Sequence, residues 1–412
     1  MVRFSDTPQD AETGRGLRAI PGGVWALGFV SMFMDISSEM IHSLLPIFLV
    51  SMLGVSVTAV GVLEGMAEAT VLVARMFSGT LSDWLGKRKI LTLLGYGMAA
   101  FTKPLFPLAA SYPVVFVARL IDRVGKGIRG APRDALIADL VPQELRGASY
   151  GLRQSLDTIG ALTGPLAATL LMLASSGNFR LVFWIAVVPG FVSVALLTLF
   201  VHEPAGPAAP RKIRPQLRWQ ELRYYPAAFW SVAAIGAIFT LARFSEAFLV
   251  LRAANLGLSN NYVPLVMVVM NATYAASAYP AGRLSDRMDR RVVLALGGAL
   301  LIVADVVLAG ATGVAGLIVG VSLWGLHMGF SQGLLTTLVA DVALIERRGT
   351  AFGLFSLVSG FALLAASILA GELWDRFGAP TTFYAGACFA GLAVACLLLQ
   401  IRTRPKAFGH RR

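Results

Sequence analysis

Arg119-Leu-Ile-Asp122-Arg123-Val-Gly-Lys126-Gly-Ile-Arg129-Gly-Ala-Pro-Arg133 lies inside a hydrophobic segment long enough to cross a membrane. At about 100° per residue, a helix places Arg119, Arg123, Lys126 and Arg133 within an arc of roughly 80°. Four cations on one stripe cannot face lipid, because a charge at the bilayer centre costs a few kcal/mol or more. They must line a bundle interior or a watery cavity and find counter-charges there. The chain supplies acids at helical spacing. Asp35, Glu39 and His42 share one face of the first apolar segment, Glu64 and Glu68 share a face of the next, and Asp157 and Glu246 sit on later ones. Two arrangements satisfy this pattern: a polar cavity enclosed by apolar helices, or ion pairs that tie the helices together.

The composition agrees with a membrane solvent. Of 412 residues, 56% are hydrophobic and only 14% charged, where soluble domains carry about a quarter charged residues. Twelve apolar runs, at 24–53, 57–80, 90–110, 113–141, 148–175, 180–201, 227–251, 259–282, 291–311, 314–342, 349–375 and 380–401, are each long enough for a hydrocarbon core of about 30 Å. The class expected is an all-α membrane protein of twelve transmembrane helices.

The net charge of +12 suggests nucleic acid only until its placement is read. Arg15 and Arg18, Lys87 to Lys89, Arg146, the group from Arg211 to Arg223, Arg287 to Arg291, Arg347 and Arg348, and Arg402 to Lys406 all fall on alternate loops. The loops between hold Arg180, Arg252 and Arg376. The positive-inside rule then places both termini and the central loop in the cytoplasm of a multi-pass plasma (inner) membrane protein, with no nucleic-acid partner. The first 23 residues show no cleavable signal pattern. Cys388 and Cys396 both fall in the last apolar run and read as packing residues, and no metal-ligand spacing is present. Gly125-Lys126-Gly127 lacks the spacing of a phosphate-cradling loop, and no sizeable soluble segment exists to hold a nucleotide, so neither an enzyme nor an ATP-driven pump is expected, and no cofactor.

A Pro-rich, basic stretch divides the chain. This gives a tail at 1–23, a six-span unit at 24–201, a linker at 202–226, a second six-span unit at 227–401 and a tail at 402–412. The units are repeats: Gly79-Thr-Leu-Ser-Asp83 matches Gly282-Arg-Leu-Ser-Asp286 at an offset of 203, and Leu136-Ile-Ala-Asp139 matches Leu338-Val-Ala-Asp341 at an offset of 202. Charge is unequal between them. The tenth run has only His327 where the fourth has Arg119, Arg123 and Lys126, so the chemistry is expected mainly in the first half, with Arg243, Glu246 and Asp305 from the second.

Gly79-Thr-Leu-Ser-Asp83-Trp-Leu-Gly86-Lys87-Arg88-Lys89 closely resembles the signature between the second and third helices of the major facilitator superfamily, with Trp84 in place of a basic residue. The resemblance implies that Asp83 caps a helix of the other half and that Arg88 bonds Asp139, gating one side. Asp286 is the second-half counterpart of Asp83. Arg123-Val-Gly-Lys-Gly127 resembles the fourth-helix motif whose Arg is linked to proton transfer, with Lys126 for a Gln and Arg129 for a Gly. Gly151, Gly160, Gly164 and Pro165 resemble the fifth-helix motif of antiporters, with Ala168 and Thr169 in place of its closing glycines. The run Asp122 to Asp134 is similar to a bacterial efflux-type branch.

What this implies is a carrier of two pseudo-symmetric six-helix bundles, working as a monomer in a lipid bilayer by alternating access around a midplane site. Proton coupling is expected at Asp35, Glu39, Glu68 and Arg123. A small, anionic or amphipathic solute is expected at Arg119, Arg123, Lys126, Arg243, Glu246 and Asp157, against an apolar wall such as Phe239, Phe244, Met267 and Tyr274. Gating falls to Gly79, Asp83, Gly86, Arg88, Asp139, Gly160, Gly164, Pro165 and Asp286. Export against protons is the first expectation; proton-coupled uptake of an organic anion and a non-transporting sensor are the alternatives.

Overall fold

The computed structural model describes residues 19–85, 87–203, 225–343 and 348–403. Gly86, most of the expected linker and most of both tails lie outside the described residues. The helices are α1 (Gly22–His42), α2 (Leu45–Ile47), α3 (Val57–Leu85), α4 (Arg88–Thr102), α5 (Leu105–Leu108), α6 (Tyr112–Leu140), α7 (Arg146–Ala174), α8 (Phe179–Phe200), α9 (Ala227–Ala242), α10 (Ala247–Asn255), α11 (Leu265–Arg287), α12 (Arg290–Gly310), α13 (Val314–Val342), α14 (Arg348–Phe377) and α15 (Ala379–Thr403). Helix α1 continues through α2 into a π-helical turn, Phe48–Met52. Taking α1 with α2, α4 with α5 and α9 with α10, these helices make the twelve spans expected. The eighth starts later than its apolar run because 259–264 forms turns that end at Pro264, the residue preceding α11.

Nine helical runs among the described residues are long and apolar enough to cross a membrane by length and composition alone. The three spans that fall short carry the polar features. The α4–α5 span breaks at Lys103-Pro104, α6 carries the charged stripe, and α11 holds Asn271, Thr273, Tyr274 and Ser277. Helix ends follow local chemistry: Asn178 accepts from the Leu181 N–H (3.1 Å) to start α8, and Asp289 from the Arg291 N–H (2.9 Å) to start α12. Gly54, Gly177, Gly257 and Gly378 have φ of 64°, 87°, 84° and 88°. All four close turns on the face opposite the chain ends, where only glycine reverses the chain without strain.

The apolar packing is asymmetric across the membrane. On the face opposite the chain ends a single core joins both halves, combining Phe48, Leu63 and Phe183 with Phe248, Trp324 and Phe383. On the face that bears the chain ends there are two cores. One belongs to the first half, around Val24, Tyr96, Leu136 and Leu197, and the other to the second, around Phe229, Val293, Leu338 and Leu397. The apolar cores are thus joined at one face and separate at the other, where α3 and α14 stay in contact, Gly353 and Gly360 lying against Met76 and Leu72. The weld runs chiefly along α3 and α14, with α7 against α11.

Candidate functional site

The charged stripe is held between two close helix contacts. A Cβ at Gly125 would lie 2.6 Å from the Gly95 carbonyl of α4, and one at Gly127 would lie 2.4 Å from Ala74 Cβ of α3. These two glycines let α6 press on α4 and α3 at once and leave Lys126, between them, projecting from the contact.

Helices α1, α3 and α6 pair most of their charges. Arg119 donates to Glu64 at 2.8 Å, both being at most 2% exposed at the side chain. His42 bridges Glu39 and Glu64, with 3.5 Å to each. Arg123 meets Glu68 at 3.3 Å, and that carboxylate is 35% exposed. Nearer the chain ends, Arg153 pairs with Asp157 (2.5 Å) and Asp134 (3.8 Å), while Arg133 bonds Asp134 and Ser31. Arg129 stacks over the Tyr96 ring at 4.5 Å.

Asp35, Lys126, Arg243 and Glu246, on the spans that line the seam, hold neither a hydrogen bond nor an ion pair among the described residues. Asp35 lies within electrostatic reach of Lys126, Arg129 and Glu39. Arg243 and Glu246 sit at the break between α9 and α10, where the Arg243 N–H turns back to the Thr240 carbonyl (3.0 Å). Glu246 comes within electrostatic reach of His42, Glu39 and Glu68, and Arg243 of Glu68. Each half therefore contributes one acid and one cation without a partner, and those of the second half look across the seam toward Glu39, His42 and Glu68. A broken span offering side chains and freed backbone groups at the midplane is how carriers build solute sites.

The residues expected to gate divide by face. Arg88 pairs with Asp139 on the face of the chain ends, and the second half repeats the pair as Arg290 with Asp341 at 2.7 Å. Gly79 and Asp83 lie in the last turns of α3, and the Asp83 side chain is not among those described; Asp286 is exposed near the end of α11. A Cβ at Gly160 would lie 2.7 Å from the Met32 carbonyl, and one at Gly164 would lie 2.8 Å from Glu39 Cβ. These glycines seat α7 against α1 directly behind Asp35 and Glu39, with Pro165 inside α7. On the welded face, Asp375 of α14 accepts from the Val57 and Thr58 N–H groups at 3.2 and 2.8 Å and so caps α3 of the other half.

Three expectations need correction. Arg119 is spent on Glu64 inside the weld and does not reach the seam in this conformation. Asp157 is engaged by Arg153 toward the chain-end face and meets the central group only through the field it exerts on Asp35. Phe239, Phe244 and Met267 are 1%, 4% and 1% exposed and belong to the cores, whereas Tyr274 is half-buried and its hydroxyl meets Gln332 at 3.3 Å. The sequence reading also missed Lys103, which is 1% exposed and donates to Asp122 and Ser38, both at 2.9 Å. Its signal was available, since a lysine inside an apolar run implies a partner.

Comparison with known proteins places this geometry. The family model described as Major Facilitator Superfamily matches residues 27–251 and 246–412. An uncharacterized MFS-type transporter of Methanocaldococcus jannaschii is 33% identical over 387 residues, covering 92% of this chain and 95% of its own. The quinolone resistance protein NorA of Staphylococcus aureus is 22% identical over 395 residues, covering 93% and 98%. Among solved structures, a bacterial homolog of the human lysosomal transporter Spinster, inward-facing and unoccupied, superposes with a TM-score of 0.73 at 17% identity, covering 92% of this chain and 96% of that one. A peptide transporter bound to sulfate gives 0.77 at 15%, covering 94% and 95%. With matches that span both halves, and a fold of twelve helical spans welded at one face, the chain belongs to the Major Facilitator Superfamily of membrane transporters.

Proposed function

We propose that this transporter is a proton-coupled exporter of a small organic solute that is anionic or amphipathic, working as a monomer in the plasma (inner) membrane with both chain ends in the cytoplasm. The observation that carries the reading is the unpaired quartet of Asp35, Lys126, Arg243 and Glu246 at the seam. Ionised groups left without partners between apolar helices are costly, and a bound solute with charge of both signs would satisfy them. Glu68, half-open beside Arg123, is the natural exchange point. A solute carboxylate that takes the Arg123 guanidinium and a proton that neutralises Glu68 each open the same ion pair, so either one alone licenses the conformational step and the two cross in turn.

Orientation follows from the basic loops, and the open seam then faces the cytoplasm, where an exporter loads. The likeness to a quinolone resistance protein supports a carboxylate-bearing, amphipathic drug as the first probe. In proteoliposomes carrying the protein with its chain ends outward, an acidic lumen is expected to drive quinolone accumulation, with protons leaving as solute enters. Accumulation driven instead by an acidic exterior would replace export with uptake. Lys126→Gln is expected to raise the half-saturating quinolone concentration about tenfold, the loss of one charge-assisted contact of roughly 1.4 kcal/mol. Glu68→Gln is expected to retain binding and lose the dependence on the pH gradient. Transport by that variant with an unaltered gradient dependence would remove Glu68 from the coupling.

A further inference from the structure

The second half contains a charge that its surroundings do not balance. Asp305, on α12, is 0% exposed, and neither of its oxygens has a hydrogen-bond partner among the described residues. Its position is tightly defined. A Cβ built on Gly386 of α15 would lie 2.6 Å from Asp305 Oδ2, 3.0 Å from Phe244 Cε1 and 3.3 Å from the Ala242 carbonyl oxygen. These three groups therefore converge on one point, and only glycine at 386 leaves them room. The Ala242 carbonyl ends α9 at the break. The Arg243 N–H goes to Thr240 and the Ser245 N–H to Ser367 Oγ (3.3 Å), so the backbone that follows is turned to other acceptors.

The internal repeat sharpens the contrast. At the offset of 202, Asp305 stands where the first half has Lys103, and Trp324 stands where it has Asp122. The first half closes its buried pair, Lys103 to Asp122. In the second half the ammonium has become an acid and the acid an indole, whose Nε1 is also without a partner. Among the described residues no cation takes the place of the lost one. On α13, His327 is 2.8 Å from the Gly297 carbonyl and stacks on Phe239. Arg243 and Glu246, at the break, reach Glu68 of the first half, and Arg243 also reaches Tyr274 and His327, but neither bonds Asp305. Arg252 of α10 is held by the carbonyls of Leu308, Ala309 and Ala311. On α11, Tyr274 bonds Gln332, and on α15 both Tyr384 and Cys388 are exposed.

We propose that Asp305 is a proton-binding site of the second half, loaded while the weld is closed and emptied when it opens. A neutral carboxyl fits the apolar surroundings, with the Ala242 carbonyl converging on the same point at Gly386. A metal ion does not fit, because hard cations take about six oxygen ligands and the neighbours here are Phe244 with Trp324 and Phe383 packed on it. Those same rings belong to the core that welds the two halves. Parting the weld brings water from that side to Asp305; the O–H bond then breaks, the carboxylate remains on the chain and the proton leaves to that water. Reclosure requires a proton to return. The inference rests on the proposed transport cycle for its role, and its site is testable without transport.

The full chain, in lipid nanodiscs at neutral pH, is expected to show the infrared carbonyl stretch of a protonated carboxyl in a dry site, and Asp305→Asn is expected to lose that band. Spin labels at Ser56→Cys and Ser259→Cys, with Cys388→Ala and Cys396→Ala as background, flank the welded face. Their separation is expected to lengthen as pH rises in the wild type and to stay short in Asp305→Asn. Should that variant fail to fold, Gly386→Ala places a methyl against the carboxyl and is expected to shift the band. An unchanged band in both variants, a pH response that survives Asp305→Asn, or a response to sodium at fixed pH would overturn the proposal. If the wild type shows the band but accumulates no quinolone, the exporter reading falls and the site stands. If Asp305→Asn accumulates quinolone with the wild-type gradient dependence, the site has no part in coupling and the exporter reading stands.

Discussion

Lys103→Ala is expected to destabilise the folded chain by about 3–5 kcal/mol, because it strands Asp122 as an unpaired charge inside the first half. Both side chains are nearly sealed, 2% and 5% exposed, with Nζ 2.9 Å from the carboxylate. The second proton donor contact, to Ser38 at 2.9 Å, ties α1 to the break in the third span. The partner's burial, more than the attraction itself, sets the size of the loss: an ionised acid left alone there has no water to recover. Lys103→Met combined with Asp122→Leu is therefore expected to melt close to the wild type, since removing both charges also removes the desolvation they suffer. Thermal unfolding followed by tryptophan fluorescence in detergent compares the three. A single variant as stable as the wild type would mean that Asp122 finds another partner or water, and that this pair does not hold the bundle.

That pair also marks where sequence reading stops. The apolar runs and their alternate basic loops place nearly every span, because burial in lipid forces a long unbroken pattern. The facing of Arg119, Arg123 and Lys126 is legible for the same reason, since helical spacing alone sets it. Depth is not. From Arg119 to Lys126 the helix rises about 10 Å, and over that distance the surroundings change from a welded core, where Arg119 is 1% exposed, to an open seam where Lys126 is exposed. An arc on a helical wheel cannot register that change. Lys103 was hidden differently: its partner lies 19 residues away on the next span, and only the fold brings the two together. The pairing of Arg88 with Asp139 was legible through a motif. The contact on the opposite face, Asp375 on the start of α3, joins residues 317 and 318 apart and carries no local signature.

The largest effect on conformation is expected from Gly61→Val, at the weld that this Asp375 contact completes. A Cβ at Gly61 would lie 2.2 Å from the Ser367 carbonyl of α14, one at Gly65 3.0 Å from Leu364 Cα, and one at Gly371 2.6 Å from Thr58 Cα. Backbone meets backbone along this line, so no flexible side chain can yield and the two helices must part. Overpacking of this kind costs about 1–3 kcal/mol, and it falls only on the state in which α3 and α14 touch. The two faces of a carrier alternate across differences of a few kcal/mol, so the welded population is expected to fall about tenfold or more. Asp375→Ala, which removes the cap from α3, is expected to push the same way by about 1 kcal/mol. The label pair at Ser56→Cys and Ser259→Cys reads both, as a long-distance population absent from the parent. The wedge acts between the halves and not within either, so each bundle is expected to keep its own packing, and the melting transition with it. A distance distribution that does not move in Gly61→Val would mean that α3 and α14 are a permanent joint, and a transporter whose halves cannot separate there has no second face to open.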